Sequence, residues 1–76
     1  MTNKINLKKQ QILWFQSSVG EPQMAQITAG KVWVTIEGEQ KDFIVSQGEY
    51  LPPSDQKILI EALSEQVVID MIELTL

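Results

Sequence analysis

Glu37, Glu39 and Asp42 crowd one short stretch, and Asp70 sits inside the apolar run of residues 67–72. Carboxylates lead the groups able to do chemistry here, because the 76 residues include no His, no Cys and no Arg. Grouped carboxylate oxygens suit a hard cation such as calcium. This stretch lacks the alternating oxygen ligands and the glycine of a calcium loop, so it reads as a solvated charged turn. Asp70 inside its apolar run could serve as a general acid or base. More often such a residue lies on the solvent face of an edge strand, where its charge blocks unwanted pairing, and that is the expectation for Asp70.

The missing residue types remove most catalytic options. Without His the chain lacks the commonest general base and the commonest metal ligand. Without Cys it lacks thiolate nucleophiles, disulfides and every Cys-based zinc or iron–sulfur site. Paired carboxylates suit glycoside hydrolysis, but so short a chain offers little cleft for a sugar. The expectation is a non-catalytic protein with no cofactor and no metal; a carboxylate enzyme built on Asp70 or Glu49 is the remote alternative.

Large aromatic side chains can also make a site by contact alone. Trp14 and Trp33, with Phe15, Phe43 and Tyr50, are the candidates for a ligand pocket or an interface. Trp33 alternates against Val32, Val34 and Ile36, so one of these two sets faces away from the main core. An exposed Trp33 beside Ile44 or Leu59 would form a natural association patch.

Charge narrows the partners. All six cations are Lys, so bidentate Arg recognition of phosphate is absent. Residues 1–31 carry a net charge of +3 and residues 32–76 a net charge of −7. The resulting −4 argues against nucleic acid and favours a surface whose charge serves solubility. No stretch reads as a signal-peptide core or reaches membrane-spanning length. A cytoplasmic protein with no membrane partner is expected.

The elements that would position these residues are short strands. Residues 3–7 place Ile5 and Leu7 on one face; residues 11–16 place Ile12 and Trp14 on one face and Leu13 and Phe15 on the other. A loop is expected near Gly20 and Pro22. Residues 24–28 and 31–37 read as a hairpin closed at Ala29-Gly30, since Gly takes positive φ without steric cost. A polar turn over residues 38–41 precedes a strand at 42–46. Residues 46–49 fit a type II turn with Gly48 third. Residues 50–51 form a brief strand before Pro52-Pro53, where the peptide isomer is open. Residues 57–62 set Ile58, Ile60 and Ala62 against Leu59 and Glu61. In residues 67–76 the apolar parity changes near Met71-Ile72, which predicts a bulge or an exchanged C-terminal strand. About eight short strands at this spacing suggest one all-β domain over residues 1–76, a small barrel or a compact sandwich.

Residues 27–39 resemble the core of a bacterial cupin-like small β-barrel family of unknown function. That family carries Ser/Thr-x-Gly-x-Val-Trp-Val/Leu-Thr-x-Glu-Gly, matched here from Thr28 through Gly30, Val32-Trp33-Val34-Thr35 and Glu37-Gly38. Its next segments, Asp-Phe/Tyr-x-Leu/Val and a Gly-Asp/Glu turn, are matched by Asp42-Phe43-Ile44-Val45 and Gly48-Glu49. The likeness covers roughly residues 5–72. It implies a jelly-roll-like barrel and leaves the activity blank. The metal chemistry of cupins does not carry over, because their His ligands have no counterpart here. Glu49 stands where cupin turns place an acidic residue, commonly a structural one.

A chain this short buries only about 60–65% of its unfolded surface, so its stability is marginal in isolation. Without disulfides or a metal, self-association is the compensation left. A homo-oligomer acting through protein contacts, with an unidentified protein partner also conceivable, is therefore the first expectation. A barrel holding a small apolar or sugar-like molecule is the second.

Overall fold

The computed structural model describes residues 2–16, 23–52, 54 and 56–73. Within them the chain forms seven strands and no helix. These are β1 (Thr2–Lys8), β2 (Ile12–Phe15), β3 (Gln23–Ala29), β4 (Lys31–Ile36), β5 (Phe43–Ser46), β6 (Ile58–Ala62) and β7 (Gln66–Glu73). An all-β fold is therefore present. The expected brief strand at residues 50–51 is reduced to an isolated bridge between Tyr50 and Gln26.

Two antiparallel sheets result, one of three strands in the order β1-β7-β3 and one of four in the order β2-β6-β4-β5. Strict alternation decides which face of each strand turns inward. Val32, Val34 and Ile36 of β4 and Ile58, Ile60 and Ala62 of β6 are buried, whereas Trp33, Leu59 and Glu61 are exposed. Leu7, Ala25, Ile27, Val67 and Ile69 of the three-stranded sheet join them in a single core. The smallest dimension of the molecule, 18 Å, fits two sheets about 10 Å apart with side chains on their outer faces.

The sandwich is stitched along one side and open along the other. Beside β3, Ile27 N–H donates to Glu49 O (2.9 Å), Gly48 N–H to Ile27 O (2.7 Å) and Leu51 N–H to Ala25 O (2.8 Å). The chain leaving β5 is thereby bound to the edge of the other sheet. On the opposite side β1 pairs only with β7 and β2 only with β6 among the described residues. A closed barrel is therefore not formed. The turn after β1 joins these two edges: Lys8 N–H donates to Gln11 Oε1 (2.7 Å) and Gln11 N–H to Lys8 O (3.0 Å), while Gln10 N–H donates to Ala62 O (2.9 Å) ahead of the β2–β6 pairing. That turn delivers β2 to β6 instead of folding it back on β1.

Three further expectations are corrected. First, β3 and β4 do not pair as a hairpin; they lie in different sheets, and Ala29-Gly30 is the corner between them. Second, the ladder from β1 to β7 runs without a shift from Thr2–Ile72 to Lys8–Gln66, so no bulge disturbs β7 at Met71-Ile72 against β1. The irregularity falls on β3, where Ile27 opposes Ile69 but Ala29 opposes Val68, leaving Thr28 as the extra residue. Its hydroxyl donates to Val68 O at 3.3 Å. Third, β7 is the central strand of its sheet, paired with β1 and β3 of the same chain. The apolar tail beyond residue 73, the loop around Gly20 and Pro22, and the Pro52-Pro53 peptide lie outside the described residues.

Candidate functional site

The outer face of the four-stranded sheet is where the candidate aromatic residues become accessible. Register places Ile12 of β2, Glu61 of β6, Trp33 of β4 and Ile44 of β5 in one row across the sheet. The next row holds Trp14, Leu59 and Thr35. All of these alternate away from the core. Ile12 is 65% exposed, Trp14 57%, Ile44 59%, Trp33 45% and Leu59 41%. These five large apolar side chains form one continuous patch, which exceeds the scattered exposure normal on a soluble surface. Lys57 lies with its ammonium 4.6 Å from the centre of the Trp14 ring, a cation–π contact at the rim.

A shallow groove of about 400 Å³ runs along this face, lined by Ile12, Trp33, Thr35, Asp42, Leu59 and Glu61, with Ile60 at its base. Its two charged lining groups are both carboxylates. It lies outside the sandwich; the space between the sheets is filled by side chains such as Ile27, Val34, Ile60 and Ile69.

The aromatic candidates therefore separate. Trp14 and Trp33 share the outer face. Phe15 and Phe43 have the opposite parity and pack against the core between the sheets. Tyr50 is exposed at the stitched side, opposite Gln26. Ile12 and Ile44 are the residues of the patch that aromatic content alone does not reveal. Their parity with Trp14 and Trp33 is the signal that finds them.

The carboxylates do not gather into a catalytic or ligating group. Glu37, Glu39 and Asp42 are all exposed, and among the described residues no three metal-ligating side chains converge. Glu49 closes its own turn: Glu49 N–H donates to Ser46 O (2.9 Å), and its Oε1 accepts from Ser46 N–H (2.8 Å). Its carboxylate has a structural role, with Gly48 in the left-handed region (φ 91°) of a type II turn.

Asp70 faces outward on the three-stranded sheet, opposite Lys4 on one side and Gln26 on the other. It is on a central strand, not the expected edge strand. Edge protection therefore cannot be its role. Its Oδ1 is shielded and has no hydrogen-bond partner among the described residues. An unpaired shielded oxygen costs stability, and Asp is a poor strand former. Asp70→Thr is accordingly expected to stabilise the fold by about 0.5–1 kcal/mol, read as a raised urea midpoint with unchanged m. A lowered midpoint would show that Asp70 contributes more than its contacts indicate.

No family model matches the chain, and no curated protein is similar to it. No helix among the described residues is long and apolar enough to cross a membrane.

Proposed function

We propose that this chain is a non-catalytic, cupin-like β module that self-associates and acts through protein contacts, using the outer face of the four-stranded sheet. The observation that carries the reading is the continuous patch of Ile12, Trp14, Trp33, Ile44 and Leu59 on a regular, hydrogen-bonded sheet. A small domain gains twice by covering such a face. Burial removes apolar surface from water, and binding to the folded state alone adds to its stability by mass action. Tryptophan at the centre of a patch with a polar rim is the usual anchor of a protein interface. The cupin-like assignment draws support from the Thr28–Gly38 resemblance, from two antiparallel sheets and from a chain that crosses between the sheets after β1, after β2, at Gly30 and again between β6 and β7. A cytoplasmic location fits the absence of Cys and the net charge of −4.

Light scattering over a concentration series tests the reading. A dimer or larger oligomer is expected at micromolar concentration. Trp33→Ser is expected to weaken association at least about 30-fold, the equivalent of about 2 kcal/mol, while leaving the far-ultraviolet spectrum unchanged. A wild-type chain that is folded and monomeric at those concentrations would overturn the proposal.

A molecule held inside a barrel has no place here, because the sheets do not close and side chains fill the space between them. The second reading is instead a small apolar or sugar-like molecule in the outer groove, against Trp33 and Leu59. It predicts a shift in Trp fluorescence on ligand addition that Trp33→Phe abolishes and Trp14→Phe does not.

A further inference from the structure

The arrangement of charges on the outer face says how two copies would meet. We infer that they pair face to face about a twofold axis running parallel to the strands, between β6 and β4, so that β2 of one copy lies over β5 of the other. This inference rests on the self-association reading above and specifies its partner, a second copy, and its geometry.

Register fixes the layout of the face. Glu37 N–H donates to Lys57 O at 2.9 Å, extending the pairing of β4 with β6 by one residue and placing Glu37 directly beside Lys57. Yet the Lys57 ammonium leans the other way, onto Trp14, and Glu37 makes no ion pair among the described residues. Asp42 and Glu61 line the groove and are likewise without an ion pair there. Three carboxylates thus lie on or beside an apolar face, and covering them without donors would be costly.

Rotation about an axis parallel to the strands keeps each row in place and reverses the order of the strands. Lys57 of one copy then faces Glu37 of the other, twice by symmetry. Ile12 faces Ile44. Glu61 faces Trp33, and Asp42, which precedes β5 and lines the groove with Thr35, comes near Trp14, so each carboxylate lies against an indole, a side chain that carries a donor. Rotation about an axis across the strands does worse. It sets Glu61 against Leu59 and Asp42 against Ile44, leaving both carboxylates on apolar groups. The face is therefore complementary to itself in one of these two orientations, as an isologous interface must be. Stacked sheets cross at about 30°, so the match is best for the rows nearest the axis.

Charge exchange between separate chains tests the geometry. Lys57→Glu alone and Glu37→Lys alone each place four like charges in one row, and each is expected to weaken the dimer at least about tenfold by light scattering. An equimolar mixture of the two variants is expected to return to within about threefold of wild type, because every Glu then faces a Lys of the other chain. Failure of the mixture to recover, with wild type still dimeric, would overturn this orientation and leave self-association standing. A wild-type monomer would overturn both.

Because the chain has no Cys, a second measurement keeps the test independent of charge. Ile12→Cys and Ile44→Cys change two well-exposed positions and are expected to fold. A thiol cross-linker spanning one sheet-to-sheet gap of about 10 Å should join Ile12→Cys to Ile44→Cys in a mixture at least ten times faster than it joins either variant to itself. Positions 12 of the two copies are offset sideways by a further three strand spacings, about 14 Å. Equal rates for mixed and single samples would overturn the orientation.

Discussion

Ile60→Ala is expected to remove about 2–5 kcal/mol of stability and to leave the protein largely unfolded at 37 °C. Ile60 is fully buried at the middle of β6, with Val34 opposite on β4 and Leu13 opposite on β2. Truncation removes apolar contact and leaves a cavity that two hydrogen-bonded neighbours prevent from collapsing. Natural domains have only about 5–15 kcal/mol to lose, and a chain of this size belongs near the bottom of that range. Leu59→Ala, one residue away on the outer face, should cost under about 1 kcal/mol when measured at a concentration low enough to suppress association. Urea midpoints of the two variants decide the matter. Comparable losses at positions 59 and 60 would mean that the two faces of β6 are not distinguished as described.

That contrast also shows what was legible beforehand. Period-two alternation in residues 31–36 and 58–62 is strict, and it sorts the side chains of β4 and β6 into the two sets that the sheet separates. Which set faces outward, with Trp33 beside Ile44 and near Leu59, is settled by the fold; the two sets themselves could be read from the sequence. Pairing could not. Ala29-Gly30 satisfies the local chemistry of a hairpin turn, and a positive φ at Gly30 was expected and is found. Whether the flanking strands then pair or diverge depends on what β7 and β6 offer each of them, which is a long-range matter. The bulge has the same origin. Parity in residues 67–76 suggested one in β7, but β7 is held in continuous register by β1, and the extra residue is accommodated at Thr28 on the other neighbour. Asp70 failed for a related reason: a lone carboxylate in an apolar run marks an outward face but does not distinguish a central strand from an edge. The chemistry of the groove, with Asp42 and Glu61 beside Trp33, required four strands to be set side by side. No single stretch contains it.

Gly30→Ala is expected to cost about 2–4 kcal/mol, roughly twice the cost of Gly48→Ala. Both glycines have positive φ, 84° and 91°, so both substitutions incur the penalty of about 1–2 kcal/mol for an L-residue in the left-handed region. Their surroundings differ. A Cβ on Gly48 would meet nothing within 4 Å, whereas a Cβ on Gly30 would lie 2.5 Å from Gln66 O and 3.0 Å from a methyl of Val67. The first contact is with backbone, and with the backbone that opens β7, the central strand of the three-stranded sheet. Relief therefore requires the corner between the sheets to open or β7 to move, and Val67 is fully buried in the core on which both sheets close. The difference between the two urea midpoints isolates this close approach from the shared conformational penalty. Equal losses would show that the corner has room to spare, and that the crossing from β3 to β4 is held by the flanking strands instead of by the absence of a side chain at Gly30.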